Sequence, residues 1–123
     1  MRPIPIVYMY QLPYPPSLNR YWRSVAGRVL ISKDGREYRA SVLKAVGGKG
    51  LRLPGRLCVK IAAYMPDKRR RDLDNLNKAL LDSMTHAGVW VDDSQIDDLQ
   101  VIRHAVEPGG RVVVTVMEIN GYS

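Results

Sequence analysis

Lys68-Arg69-Arg70-Arg71-Asp72-Leu73-Asp74-Asn75-Leu76-Asn77-Lys78 runs from four cations into two carboxylates and on to a lone lysine. What this stretch becomes in three dimensions decides both fold and chemistry. From Leu73 the apolar residues Leu73, Leu76, Leu80, Met84 and Ala87 recur every three or four positions, which predicts a helix with one buried stripe. Asp72 then falls at or near the N-cap and Gly88 just past the C-terminal end. Asp72 and Asp74 flank Leu73 at the helix mouth, where the positive end of the macrodipole and free N–H groups lower the cost of gathering negative charge. Hard divalent cations such as Mg²⁺ are held by a few carboxylates plus substrate phosphate oxygens, and phosphates are drawn in by Arg and Lys. The stretch therefore offers both halves of a phosphodiester-cutting site.

A second acidic pair, Asp92-Asp93, follows the apolar Val89-Trp90-Val91, after the helix has carried the chain about 20 Å away. Bringing either carboxylate back to Asp72 and Asp74 requires the returning strand or a second subunit, and the sequence leaves both open. Each feature also has an ordinary explanation. Asp72 is a cap, Asp74 complements the dipole, Lys68 to Arg71 form a solvated loop, Asp92-Asp93-Ser94 is a good turn, and Lys78 pairs with Asp74 or Asp82 four residues away. His86 and His104 lack spaced partners and read as structural. Only the conjunction of acidic pair, basic run, spaced lysine and second acidic pair favours a site.

Outward from this stretch, Arg56 to Met65 reads as a strand stopped by Pro66-Asp67. Ile96 to Val106 and Arg111 to Ile119, joined by Glu107-Pro108-Gly109-Gly110, read as a closing antiparallel hairpin. Upstream, a helix is predicted from just after Ser32 to about Val46, with Tyr38, Val42, Leu43 and Val46 on one side and Gly47-Gly48-Lys49-Gly50 as its stop. Ile4 to Leu12 reads as the opening strand, Pro13 to Arg20 as a stiff loop, and Tyr21–Arg23 with Arg28–Ser32 as a short hairpin around Gly27. The expectation is one α+β domain over residues 1–123, a small mixed β-sheet with two main helices.

Nineteen Lys and Arg against twelve Asp and Glu give a net charge of +7 and a pI near 9.8, which favours a polyanionic partner. No apolar run approaches the roughly 20 residues of a membrane span, and prolines interrupt the N-terminal apolar segment where a signal peptide needs continuity. These readings point to a cytoplasmic, soluble protein with no membrane partner. The single Cys58 excludes an internal disulfide and reads as a buried strand residue.

The run from Met65 to Lys78, followed by Gly88-Val89-Trp90-Val91-Asp92-Asp93-Ser94-Gln95, resembles the core motif of the RusA-type Holliday junction resolvases. Leu12 to Arg23 resembles that family's proline-rich opening and Gly109-Gly110-Arg111 its closing hairpin, so the likeness covers nearly the whole chain. R-D-x-D-N-x-x-K with a downstream W-x-D-D is specific in combination, whereas D-x-D alone is weak. The resemblance implies that Asp72, Asp74 and Asp93 are metal-binding carboxylates, that Lys78 is the essential lysine, and that Asp92 carries lesser weight. It further implies a homodimer that requires Mg²⁺, a mixed α/β fold, a four-way DNA junction as substrate, and an origin in phages or prophages.

On that reading Asp72, Asp74 and Asp93 seat one or two ions, and Lys78 stabilises the developing phosphate charge or positions the water. Lys68, Arg69, Arg70 and Arg71, with Arg20, Arg23 and Arg28 nearby, contact phosphates of the DNA arms. A two-fold dimer would present two equivalent sites to opposed strands of a near two-fold junction. Tyr21 and Trp22 either pack in the core, the favoured reading, or lean on an unstacked base. Two rival classes differ in what they leave over. A non-catalytic DNA-binding module has no use for the acids, and a hydrolase of small phosphorylated molecules has none for so broad a basic excess.

Overall fold

The computed structural model describes residues 6–48 and 50–119. Its elements in order are β1 (Val7–Pro13), α1 (Leu18–Tyr21), β2 (Trp22–Val25), β3 (Arg28–Ile31), α2 (Lys33–Val46), β4 (Leu57–Tyr64), a 3₁₀ turn (Leu73–Leu76), α3 (Asn77–His86), a second 3₁₀ turn (Asp93–Gln95), β5 (Ile96–His104) and β6 (Arg111–Glu118). The α+β reading with two main helices holds. The opening strand starts at Val7, and the Ile4 and Pro5 of its predicted start lie outside the described residues, as does Lys49 of the glycine cluster.

The main sheet has the order β1-β6-β4-β5, and β2 and β3 form a separate two-stranded ribbon. Strand β4 pairs antiparallel with β6 and parallel with β5, so β4, α3 and β5 make a β-α-β unit. The predicted closing hairpin of Ile96–Val106 with Arg111–Ile119 is therefore wrong, because β4 lies between its two strands. The reason is apolar content. Five of the eight β4 residues, Leu57, Cys58, Val59, Ile61 and Ala63, are buried, whereas β5 carries Asp97, Asp98, Gln100, Arg103 and His104 on exposed positions. The strand with more to hide takes the centre. The Glu107–Gly110 segment accordingly steps over the end of β4: the Glu107 N–H donates to the Met65 carbonyl at 2.8 Å. Gly110 lies so close that a Cβ there would stand 2.9 Å from Pro66 Cβ.

Helices α2 and α3 cover one face of the sheet, where Tyr10, Leu12, Val59, Ile61, Val112, Val114 and Val116 meet Val42, Val46, Leu80 and Met84 in one core. Helix α2 begins as the sequence predicts, with the Ser32 hydroxyl accepting from the Gly35 N–H at 2.9 Å and Gly47 closing it in a left-handed conformation. Its buried side is Gly35, Tyr38, Val42 and Val46. Leu43, expected on that side, is half exposed at 50%, because the i, i+4 row from Tyr38 through Val42 to Val46 leaves its next-door position turned outward. Cys58 and Tyr21 are buried as read. Among the described residues no helix is long and apolar enough to cross a membrane.

Candidate active site

The predicted helix from Leu73 is two pieces. A 3₁₀ turn over Leu73–Leu76 precedes α3, which starts at Asn77, and the Asn77 N–H returns to the Asp74 carbonyl. Leu76 is fully buried and Leu73 packs at the edge of the core, which turns Asp72 and Asp74 outward, both exposed. Asp72 has N-cap backbone angles, yet its side chain accepts no capping hydrogen bond. Among the described residues neither carboxylate has an ion pair or a hydrogen-bond partner. Lys78, on the first turn of α3, is likewise exposed and makes no ion pair among the described residues; it acts on Asp82 only through its charge, the least of the influences that hold that carboxyl low. Asp82 is taken by Arg39 at 2.6 Å.

The basic run divides in two. Arg69 and Arg71 both grip Asp67, Arg69 through Nε at 3.2 Å and Nη2 at 3.1 Å with its own backbone N–H at 2.9 Å. The hydrogen bonds from Arg71, then those from Arg69, hold the Asp67 carboxyl well below the usual carboxylate range. The Arg71 carbonyl accepts from Arg103 Nη2 at 2.5 Å, which fastens the loop to the far end of β5. Lys68 and Arg70 are exposed and uncommitted among the described residues. A cleft of about 1100 Å³ runs beside Arg70, lined by Arg20, Arg69, Arg70 and Arg71 together with the carboxylates of Asp34, Glu37, Asp67 and Asp72. Arg20 enters it paired with Asp34 at 2.8 Å. Arg23 lies outside the cleft lining, exposed on β2.

The second acidic pair behaves differently. Asp92 is a working cap: its Oδ1 accepts from the Ser94 N–H at 2.9 Å, and Gln95 completes a capping box. That backbone hydrogen bond, followed by the Ser94 side chain and Asp93, holds the Asp92 carboxyl below its ordinary range. Asp93, half buried, starts the 3₁₀ turn that leads into the N-terminal end of β5. The β4–β5 register pairs Leu57 with Ile96 and Tyr64 with His104, and Arg103 tethers the loop that ends at Asp72. Asp93 and Asp72 therefore belong to opposite ends of β5, with roughly 23 Å of strand between Ile96 and Arg103. Among the described residues no three His, Cys, Asp or Glu side chains come together as a metal site. Within one chain the returning strand does not deliver Asp93 to Asp72 and Asp74.

Residues 13–117 match the family model described as Endodeoxyribonuclease RusA. The chain belongs to this family. Among relatives similar to it are crossover junction endodeoxyribonucleases RusA of Enterobacteria phage 82, 45% identical over 116 residues, of Enterobacteria phage HK97, 46% over 114 residues, and of Escherichia coli strain K12, 43% over 116 residues. Each alignment covers 91% of this chain and 95% of the relative.

The structure adds residues to this RusA-family chain that the motif reading passed over. Gln95 is buried, accepts from the N–H groups of Val91 and Asp92 at 2.9 and 2.7 Å, and donates to the carbonyls of Leu53 and Gly55 at 2.7 and 2.8 Å. Arg56 holds Asp97 and the Ser94 carbonyl, the latter at 2.9 Å, where the β4–β5 register slips by one residue. Together they fix the segment that carries Asp93. Tyr21 and Arg39 converge on Asp82, with Arg39 Nε at 2.8 Å from the Tyr21 hydroxyl, and so pin α3 to α1 and α2. Burial pushes the Asp82 carboxyl up, but the hydrogen bonds from Tyr21 and Arg39 outweigh it and leave the group below its ordinary range.

Proposed function

We propose that this chain is a Mg²⁺-dependent endodeoxyribonuclease that resolves four-way DNA junctions by paired, symmetric phosphodiester hydrolysis in the cytoplasm, acting as a homodimer. The observation that carries the reading is that Asp72, Asp74 and Lys78 are exposed without an ion pair among the described residues, Asp72 at the rim of a cleft lined by Arg20, Arg69, Arg70 and Arg71, in a chain of the RusA family. Asp72 and Asp74 stand at a helix start, where negative charge is tolerated, and with no internal partner among the described residues both are free to take a cation from outside. Their all-oxygen donor set fits a hard cation. When bound, Mg²⁺ supplies charge neutralisation at the phosphoryl oxygens and a more acidic water.

The chain's own residues supply the rest. Asp72 and Asp74 would hold the ion, and Lys78, one turn further, would meet the phosphate charge that grows as water attacks in line with the departing 3′ oxygen. Lys68 and Arg70 meet the neighbouring phosphates, and Arg20 does so from across the cleft. For Asp93 we infer a second copy. Strand β5 is an edge strand with Leu99 at 40% and Ile102 at 51% exposure, and such an edge favours pairing. Antiparallel pairing of two β5 edges about a two-fold axis sets the start of one strand beside the end of the other. Asp93 of each protomer then approaches Asp72 and Asp74 of its partner.

Incubation with a four-way junction and a matched linear duplex, with and without Mg²⁺, tests the reading. Paired cuts at symmetric positions on the junction, absent with EDTA, are expected. Equal cutting of the duplex, or cutting independent of any divalent cation, refutes it.

A further inference from the structure

The β2–β3 ribbon is set apart from the main sheet, yet its root is clamped. The Ser32 hydroxyl and N–H both donate to the Tyr21 carbonyl at 2.9 Å. Gly35 lies so tightly below that a Cβ would stand 2.5 Å from the Tyr21 carbonyl oxygen and 2.7 Å from Ile31 Cγ1. Trp22 and Ile31, paired at the root, pack against the core. Beyond them the ribbon turns through Ala26 and Gly27, both at positive φ, and extends about 10 to 14 Å into solvent.

The outer ribbon has a definite composition. Residues 22–31 contain Arg23 and Arg28 and no carboxylate. Register pairs Arg23 with Leu30 and Val25 with Arg28, so these four side chains share one face. Val25 and Leu30 are each 38% exposed, and neither Arg23 nor Arg28 has an ion pair among the described residues. Two aliphatic side chains set diagonally between two free guanidiniums suit a ligand that is anionic at its edges and apolar within. A second copy of the same face would bring guanidinium against guanidinium. Regular duplex offers a ribbon the edges of its stacked bases in the major groove, whereas the crossover of a branched DNA exposes the apolar faces of unstacked bases between phosphates. The ribbon follows directly on Arg20, which lines the cleft.

We propose that the β2–β3 ribbon is a second DNA-contacting element, which seats Val25 and Leu30 against unstacked bases at the crossover while Arg23 and Arg28 hold the flanking phosphates. The inference rests on the junction reading above and extends it to a base-contacting surface. The test uses the full-length protein without divalent metal, on a junction carrying 2-aminopurine at the crossover and on a linear duplex of the same labelled strand. A fluorescence rise on binding the junction but not the duplex is expected. V25S/L30S should still form the complex in a mobility shift and lose most of that rise. R23A/R28A should weaken binding and flatten the slope of log affinity against log salt by about 0.9 for each phosphate no longer neutralised. A full fluorescence rise with V25S/L30S, or no rise with the unaltered protein, overturns the proposal. So does a change in solution mass of V25S/L30S, which would assign the face to a second copy. Symmetric junction cleavage is read separately, so the ribbon can fail while the nuclease reading stands.

Discussion

Two aspartates open two 3₁₀ turns in this molecule, and only one of them caps. Asp92 gives an oxygen to the Ser94 N–H, and Gln95 bonds back to the Asp92 N–H. Asp72 has extended N-cap backbone angles as well, yet directs its carboxylate to solvent at the rim of the cleft. By residue type and position the two are alike. What separates them is where the oxygen goes, and that is the difference between a group engaged in holding the fold and one left available to an external cation.

The largest effect should come from substituting Asp with Asn at each position. Asn caps about as well as Asp but is a poor ligand for a hard cation. Asp92→Asn should keep both melting temperature and junction cleavage near those of the unaltered protein, whereas Asp92→Ala should lower the melting temperature by a few degrees. Asp72→Asn and Asp74→Asn should leave the melting temperature unchanged and reduce Mg²⁺-dependent cleavage by about a thousandfold, with junction binding intact or tighter because a charge facing phosphate is gone. If Asp92→Asn proves as inactive as Asp72→Asn, both are ligands and the contrast collapses.

Gln95 sharpens the same contrast from the structural side. Gln95→Ala leaves two N–H donors and two carbonyls without their partner, the Leu53 carbonyl buried and the other three part-buried, at a cost of about 3 kcal/mol. Gln95→Glu can still accept from Val91 and Asp92 but cannot donate to Leu53 and Gly55, and should recover only part of that loss. Denaturant melts give the size. Recovery of full stability by Gln95→Glu would show that only the capping half matters.

The basic run divides along the same line. Lys68 and Arg70 stand free among the described residues while Arg69 and Arg71 hold Asp67. Lys68→Ala and Arg70→Ala should each flatten the salt dependence of junction affinity by about 0.9, the value of one neutralised phosphate. Arg71→Ala should instead loosen the 67–71 loop and become visible as protease sensitivity there. An equal salt slope for all three single variants would mean that the Asp67 pairing gives way on binding.

How much of this was readable beforehand follows from range. Local rules placed α2, because Ser32 caps it and Gly47 stops it within the element itself, and they placed a ribbon around Gly27, although its first strand is Trp22–Val25 and not Tyr21–Arg23, and the expected loop ends in the short helix Leu18–Tyr21. The motif around Asp72 and Asp74 was legible as a family signature, because it is contiguous in sequence and residues 13–117 match the RusA model. The position of β5 was not, because choosing between a hairpin with β6 and a parallel pair with β4 depends on which strand must be buried on both faces, a comparison across the whole chain. Gln95 was unreadable for a similar reason: its partners Leu53 and Gly55 lie some forty residues away. Asp92 and Asp72 were indistinguishable because capping preference is a property of residue type, while use of the cap depends on whether the carboxylate turns toward its own N–H groups.

Acid pH offers the smallest effect and a direct reading of two carboxylates that the fold engages. Asp92 is held below its ordinary range chiefly by the Ser94 N–H, and Asp67 is held lower still by Arg71 and Arg69. In both cases the folded state favours the ionised form. The stabilisation is thus fully present above the unfolded carboxyl pKa of about 3.9, and is lost as pH falls through the folded value. Each carboxylate accepts from a backbone amide, Ser94 and Arg69 respectively, both at 2.9 Å. In metal-free protein the Ser94 amide resonance should therefore move at a higher pH than the Arg69 resonance, so the corner that carries Asp93 loosens in acid before the basic loop does. If the Arg69 amide moved first, the arginine grip on Asp67 would be too weak to hold the loop, and the DNA contact proposed for Lys68 and Arg70 would lose its rigid base.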